Sequence, residues 1–434
     1  MRADRRHFLY MSAGLAGAAA LSCGTEKPEK AGGAAPQGGS AEVSLPEPLR
    51  SLRPMTDGIV PITEAERRGR IEKAQRLMKE NRLDAVFMEG GSSLFYFTGL
   101  RWGNSERMFA AVLPAKGDPV WVCPKFEEDR ARELIRFGTD IRTWEEDESP
   151  YRIVAGIFKD QGISAGRVGM EERVRFFLFD GTRKAAPGIE FVSADPVTAG
   201  CRMIKSEAEI ALMQKAFDLT MVAYKAAFAM LSAGMTQLDF RRNVESAFKA
   251  LGIEGSAGAQ FGVYTSFPHG SIQPQKLKEG DVVLVDGGCA VEGYRSDVTR
   301  TTVFGKPTQR QIDIWELEKK AQAAALAAVK VGVPCEAVDA AARKVITDAG
   351  LGPGYKVPGL PHRTGHGIGL DGHEWTNLVR GNRTPLQAGM CFSDEPMIVI
   401  PGEFGCRIED CFYVTDQGAK LFTLPSPAID RPVA

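Results

Sequence analysis

The chain has 434 residues, 44% hydrophobic and 25% charged, enough to bury a sizeable core and to form two domains. Its formal net charge of −1 leaves no basic footprint for nucleic acid, and no block of like charges marks an interaction tail. A soluble, globular body is the expectation.

The first residues stand apart from that body. RRHFLYMSAGLAGAAALSCG sets Arg5 and Arg6 ahead of a short apolar run from Met11 to Leu21, too short to span a bilayer permanently, and residues 1–23 read as an export signal. DRRHFLY resembles the twin-arginine type, whose pathway carries folded proteins. Ala20-Leu21-Ser22-Cys23 resembles a lipoprotein processing site, with the leucine one place later than usual. The expected location is therefore exported, either periplasmic or as a membrane-anchored lipoprotein. A lipid on Cys23 is the one membrane attachment foreseen, and a plain cleaved leader is the alternative. Residues 24–54, rich in Gly, Ala, Pro, Glu and Lys, read as a flexible linker. The eight cysteines show no CxxC pair and no framework spacing, so disulfides are not expected. Cys289, Cys391 and Cys411 lie in apolar or strand-like runs and read as buried free thiols.

Thr63 with Glu66 makes a capping box ahead of a helix from about Glu64 to Asn81. LDAVFM, LFYFTG, MFAAVLP and PVWVC read as strands, followed by a helix from about Glu127 to Phe137 and short strands to Phe191. This alternation predicts a smaller N-terminal α/β domain over residues 55–197. FYFTGLRW reads as core packing, with pocket lining as the alternative.

Residues 198–434 contain a duplication. Ser206 with Glu209 caps a helix to about Leu231, and a second runs from Gln237 to Ala250; Thr308 opens a helix to Val331, and another runs from Cys335 to Ala349. Gly234 and Gly332, like Gly252 and Gly350, are 98 residues apart. Helix, helix, strands, repeated, predicts an α+β domain with pseudo-twofold symmetry and a site where the halves meet.

Candidate chemistry sits on those strands. In DVVLVDGGCAVEGYRSDVTRTTVF, read as strand, Gly-rich connection and strand, Asp286 and Asp297 interrupt apolar, β-branched surroundings and need a cation. Pro396 forces extended backbone at Glu395. In GCRIEDCFYVT, period-two alternation puts Arg407, Glu409, Cys411 and Tyr413 on one face and Ile408, Phe412 and Val414 on the other, with Arg407 near Glu409. HRTGHGIGLDGHE, residues 362–374, holds three of the five histidines; its glycines Gly365, Gly367 and Gly369 read as close passage of backbone past metal and substrate. Singly each residue reads as structural. Together, Asp286, Asp297, Glu395, Glu409 and His366 make a hard, oxygen-rich set suited to two divalent ions rather than tetrahedral zinc.

DGGCAVEGYRSDVTRT, HRTGHGIGLDGHE, DEP and RIED together resemble the creatinase/aminopeptidase P/prolidase metallopeptidases, over about residues 60–415. The resemblance implies the pita-bread fold for the catalytic domain and a creatinase-like N-terminal domain. It implies Asp286, Asp297, His366, Glu395 and Glu409 as metal ligands, with Asp297 and Glu409 bridging, and a hydroxide held between the ions. Glu395 would also move the proton, His269 and His373 would hydrogen-bond the substrate carbonyl, and His362 would face the prolyl side. Arg407 would hold Glu409 from behind. The implied substrates are peptides with proline second, leaning toward peptides longer than two residues; the implied ion is manganese, with zinc or cobalt as alternatives. A homodimer or homotetramer is expected. Rival readings are a non-metal amidinohydrolase of the creatinase kind and a noncatalytic binding protein, both usually marked by lost ligands. A metal assay separates them from a peptidase.

Overall fold

The computed structural model describes residues 46–434; the expected export signal, Cys23 and the expected linker up to residue 45 lie outside the described residues. The rest of the expected linker is ordered. Glu47–Arg50 form a short helix (α1) whose Leu49 is 4% exposed, and Met55 N donates to Leu251 O (2.9 Å). Leu49 and Leu52 give this stretch apolar surface to bury, which the Gly/Ala/Pro composition around it obscured.

Helix α2 (Glu64–Asn81) forms as predicted, with Thr63 Oγ1 accepting from Glu66 N at 3.1 Å. The second arm of the expected box is absent. The Glu66 carboxylate instead accepts from Arg70 (2.8 Å) and from Ser206 Oγ (2.7 Å), tying the N-terminal half to the C-terminal half. Strand β1 (Ala85–Glu89) is buried throughout and lies inside a mixed sheet of order β4-β3-β2-β1-β5-β6. The other strands are β2 (Ala110–Pro114), β3 (Val120–Pro124), β4 (Ile141–Trp144), β5 (Arg167–Met170) and β6 (Glu190–Ser193).

LFYFTG is not a strand. Ser92–Thr98 form helix α3 between Gly91 and Gly99, the latter in the left-handed region (φ 76°). A short aromatic run buried on every side carries no period, so the flanking glycines, not propensity, decide its form. After α4 (Glu128–Leu134), helices α5 (Pro150–Asp160) and α6 (Phe176–Ala185) occupy ground expected to hold only short strands. In α5, Val154, Ile157 and Phe158 are buried at helical spacing behind Pro150 in the first turn. Helix α7 (Asp195–Arg202) leads into the C-terminal half.

There α8 (Glu207–Phe228) begins with the complete Ser206–Glu209 box, and α9 (Gln237–Ala250) precedes β7 (Gly255–Phe261), β8 (Val282–Val291), β9 (Tyr294–Arg295) and β10 (Val298–Val303). The second set is α10 (Gln309–Ala328), α11 (Cys335–Asp348), β11 (Gly365–Gly367), β12 (Glu374–Leu378), β13 (Cys391–Asp394), β14 (Met397–Ile400), β15 (Phe404–Arg407), β16 (Asp410–Thr415) and β17 (Gly418–Leu421). Gly252 and Gly350 end their helices at the same φ of 84°. The strands pair as β10-β8-β7, β12-β11-β13-β16-β17 and the hairpin β14-β15. The helix pairs pack against these strands, giving the expected α+β arrangement.

One apolar cluster runs from β1, α3 and Trp121 through α8 and α9 to Tyr294, so the two halves share a core. A second cluster lies under α10 and α11. The period-two reading of the C-terminal strand holds across a break at residues 408–409: Ile408, Phe412 and Val414 join the second cluster, whereas Cys411 and Tyr413 face the first. Cysteines 123, 201, 289, 335, 391, 406 and 411 are free and buried.

Candidate metal centre

Asp286 lies in mid-strand on β8, paired in register with Thr299 of β10, and Asp297 immediately precedes β10. The Gly287-Gly288 pair expected as a connection stays within β8. The chain reverses later, at Glu292 (φ 50°) and Gly293 (φ 92°). Opposite, a register shift on β11 at His366 redirects that ring, and Glu395 follows β13. Glu409 bridges β15 and β16, its N–H donating to Thr299 O at 3.1 Å. These residues come from distant strands and converge.

Ligand atoms fall into three overlapping groups, each within 4.8 Å: Asp286, Asp297 and Glu409; His366, Glu395 and Glu409; Asp297, His366 and His373. All five sequence-predicted ligands are present, and Glu409 belongs to two groups. His366 Nδ1 donates to Gly367 O (3.1 Å), leaving Nε2 for a ligand or for Glu395 Oε1 (3.0 Å). His269 sits exposed in a turn beyond Phe267; His362 is half-buried, its Nε2 buried without a partner among the described residues.

Charge at this centre is unbalanced. Burial, then the neighbouring Asp286 charge, pushes the Asp297 carboxyl up to about 8. Burial, then Asp297 and Glu395, pushes Glu409 well above the usual carboxylate range. Burial alone would raise Glu395, but its bond from His366 holds it low. Burial is the main force lowering His373 to about 4, with His366 and Arg363 adding to it. Glu409 Oε1 is buried with no hydrogen-bond partner among the described residues. A pair of divalent cations fits: it would give that oxygen a partner and offset the mutual repulsion of four carboxylates.

Several supports were not foreseen. Arg407 was expected to hold Glu409; instead it donates to Asp286 through Nη2 and to Thr299 Oγ1 through Nε (3.0 Å). Thr299 makes the link onward, donating to Glu409 Oε2 at 2.7 Å. The alternation argument gives a side chain's face, not its partner, and one extra hydroxyl on β10 takes the place assigned to the guanidinium. Ser393 Oγ accepts from His366 N (3.0 Å) and donates to Glu395 Oε1 (3.1 Å). Tyr224 donates to the carbonyls of Val298 (2.9 Å) and Gly287 (3.1 Å) behind the aspartates. A threonine, serine or tyrosine in such positions carries no signal that separates it from ordinary packing. The glycines of the histidine segment are also required for a different reason than expected. A methyl on Gly365 would lie 2.0 Å from Ser393 O and one on Gly367 2.6 Å from Trp375 O, so neighbouring strands exclude it.

The loop bearing His373 is held by both halves. Asp371 accepts from Ser92 Oγ (2.7 Å), Arg173 Nη1 (2.9 Å) and Arg202 Nη2 (2.6 Å), while Glu374 accepts from Lys205 Nζ (3.0 Å) and Arg202. Burial alone would raise the Glu374 carboxyl, but Lys205 and Arg202 hold it at about 2. Its folded pKa lies below the unfolded value of about 4.3, so its stabilisation is complete above that value and is lost as pH falls toward 2. We expect denaturant titrations to lose on the order of 3 kcal/mol over that window in the parent and much less in Glu374→Gln. Equal slopes would contradict the pairing. Nearby, Phe95, Arg101 and Trp102 line a cavity of about 370 Å³ with Gly293 and Leu370, while Tyr96 and Phe97 are core. The aromatic segment therefore serves both uses weighed for it.

Residues 211–416 match the family model of metallopeptidase family M24, and residues 70–204 match the creatinase/prolidase N-terminal domain. The Xaa-Pro dipeptidase of Lactobacillus delbrueckii subsp. lactis is 31% identical over 81% of this chain and 96% of its own length. This chain belongs to metallopeptidase family M24. Among solved structures, dipeptidase PepE from Mycobacterium ulcerans is similar at a TM-score of 0.77 and 34% identity, covering 84% of this chain and 97% of that one. Prolidase from Thermococcus sibiricus is similar at 0.76 and 30%, covering 82% and 97%. The M24 assignment bears out the resemblance to creatinase, aminopeptidase P and prolidase and the pita-bread fold it implied.

Proposed function

We propose that this M24 peptidase uses two divalent cations to hydrolyse the bond between an N-terminal residue and a following proline. The observation carrying this reading is Glu409, whose carboxylate lies within reach of both Asp286 with Asp297 and His366 with Glu395. Asp286, Asp297, His366, Glu395 and Glu409 would hold the pair, with Asp297 and Glu409 between the two positions. Bound cations supply a Lewis acid for the carbonyl and make water acidic near neutral pH. Manganese suits the carboxylate-rich set, although zinc competes on affinity.

The chain's own residues do the rest. Glu395 takes the proton of the attacking water and hands it to the prolyl nitrogen, which has no hydrogen of its own before cleavage. His269 and His373 donate to the substrate carbonyl as it gains charge, and His362 lines the prolyl side. Arg407 and Thr299 keep Asp286 and Glu409 in place. The names of the relatives support dipeptides as substrates. The twin-arginine-type leader adds an exported location, membrane-anchored if Cys23 carries lipid, and an oligomer completes the proposal.

Manganese-loaded protein should hydrolyse Xaa-Pro dipeptides, with longer Xaa-Pro peptides testing the boundary with aminopeptidase P, and lose activity in EDTA. His373→Ala should keep its metal content and lose about 10²–10⁴-fold in kcat. Activity on a full panel that is absent at full metal occupancy would overturn the substrate assignment.

A further inference from the structure

Arg363 lies between two of the pocket histidines and touches each with a different part of itself. Its Nη2 is 3.1 Å from His373 Nδ1, and its carbonyl oxygen is 2.7 Å from His362 Nδ1. A guanidinium has only donors, so His373 Nδ1 must accept, and the proton of that neutral ring sits on Nε2. A carbonyl has only lone pairs, so His362 Nδ1 must donate, and its Nε2 is bare. That bare nitrogen is buried and finds no partner among the described residues.

We propose that Arg363 is a positioning residue that presets opposite tautomers on the two rings, a hydrogen-bond donor on His373 and an acceptor on His362. The inference deepens the peptidase reading and rests on it for its catalytic meaning: the donor on His373 serves the substrate carbonyl. The backbone that carries this arrangement is fixed. Asp339 accepts from Thr364 N (3.1 Å), Thr364 Oγ1 (2.8 Å) and Arg343 Nε (2.8 Å). Arg343 in turn donates to the carbonyls of Gly354 (2.9 Å), Leu360 (3.1 Å) and His362. Arg363 is thus clamped on both sides, and its carbonyl direction does not depend on its side chain. His373 also lies within 4.8 Å of ligand atoms on Asp297 and His366. With Nδ1 engaged by Arg363 and a proton on Nε2, it offers no free lone pair, which distinguishes it from the ligand His366.

With five histidines in the chain, a ¹⁵N-histidine long-range spectrum of the full-length protein is simple enough to assign. In zinc-loaded and metal-free protein at pH 8, His373 should show the Nε2–H pattern and His362 the Nδ1–H pattern. Arg363→Met should average the His373 signals between tautomers, leave His362 unchanged because its partner is backbone, and lower kcat about 10–100-fold with little change in KM. Arg363→Lys, which also only donates, should restore the Nε2–H pattern in part. An Nδ1–H pattern on His373 in the parent, or a His373 pattern indifferent to Arg363→Met, overturns the proposal. Unchanged His366 signals in the variant report an intact fold. Because the spectra need no turnover, they test the tautomers even if no Xaa-Pro substrate is cleaved.

Discussion

Glu409→Gln should abolish turnover, by about 10²–10⁴-fold, while leaving the metal-free protein at least as stable as the parent. The two halves of this expectation have one cause. In the absence of cations Glu409 is a buried carboxylate among Asp297, Glu395 and Asp286, with Oε1 unpartnered among the described residues, and burial with those charges pushes its pKa well up. Glutamine keeps the shape and the bond from Thr299 Oγ1 to its carbonyl oxygen, and removes a charge that costs stability when unpaired. The same change removes the carboxylate that belongs to two of the ligand groups. Added manganese should stabilise the parent by about 4 kcal/mol at a thousandfold excess over its dissociation constant, and the variant by much less. Calorimetry with and without EDTA, alongside metal counting, reads both effects. Two equivalents of metal and near-normal turnover in the variant would end the shared-ligand assignment.

Arg300→Ala should cost about 3–5 kcal/mol of unfolding free energy by denaturant titration, the largest stability loss expected here. Arg300 and Asp410 are both fully buried, and Nη2 donates to Asp410 Oδ1 at 2.6 Å. Nη1 donates to the carbonyls of Thr299 (3.0 Å) and Glu409 (2.6 Å). Alanine leaves the Asp410 charge with side-chain bonds from Gln322 and Thr423 but no cation, and frees the backbone that aims Glu409. Metal affinity should therefore fall with stability. Replacing Arg300 and Asp410 together by leucine should recover part of the stability but not the affinity, because the Glu409 carbonyl stays unpaired. Full recovery of both would show the guanidinium to be dispensable to the site.

What could be read from residues alone was the acidic set. Asp286 and Asp297 are conspicuous because a carboxylate in a β-branched apolar run has a high cost without a counter-charge, and Glu395 because Pro396 fixes its backbone. Helices with a cap at the start and glycine at the end, such as Gln237–Ala250, were legible to the residue. The short helix at Ser92–Thr98 was not, since burial on all sides erases the period that separates helix from strand. The same limit applies to partners. Arg407 was visible as a cation beside Glu409 in sequence, but which carboxylate it meets depends on the pairing of β8 with β10, which local pattern does not encode. Arg363 and Thr299 were overlooked because their roles exist only once distant strands lie together.

The anchoring of Asp371 by Ser92 and Arg173 has an evolutionary cost. A catalytic half transplanted onto a foreign N-terminal partner would arrive with its His373 segment moored on one side only, however well the new core fitted. Recombination within such a lineage is therefore restricted at residues 92 and 173, far along the chain from the proposed metal ligands.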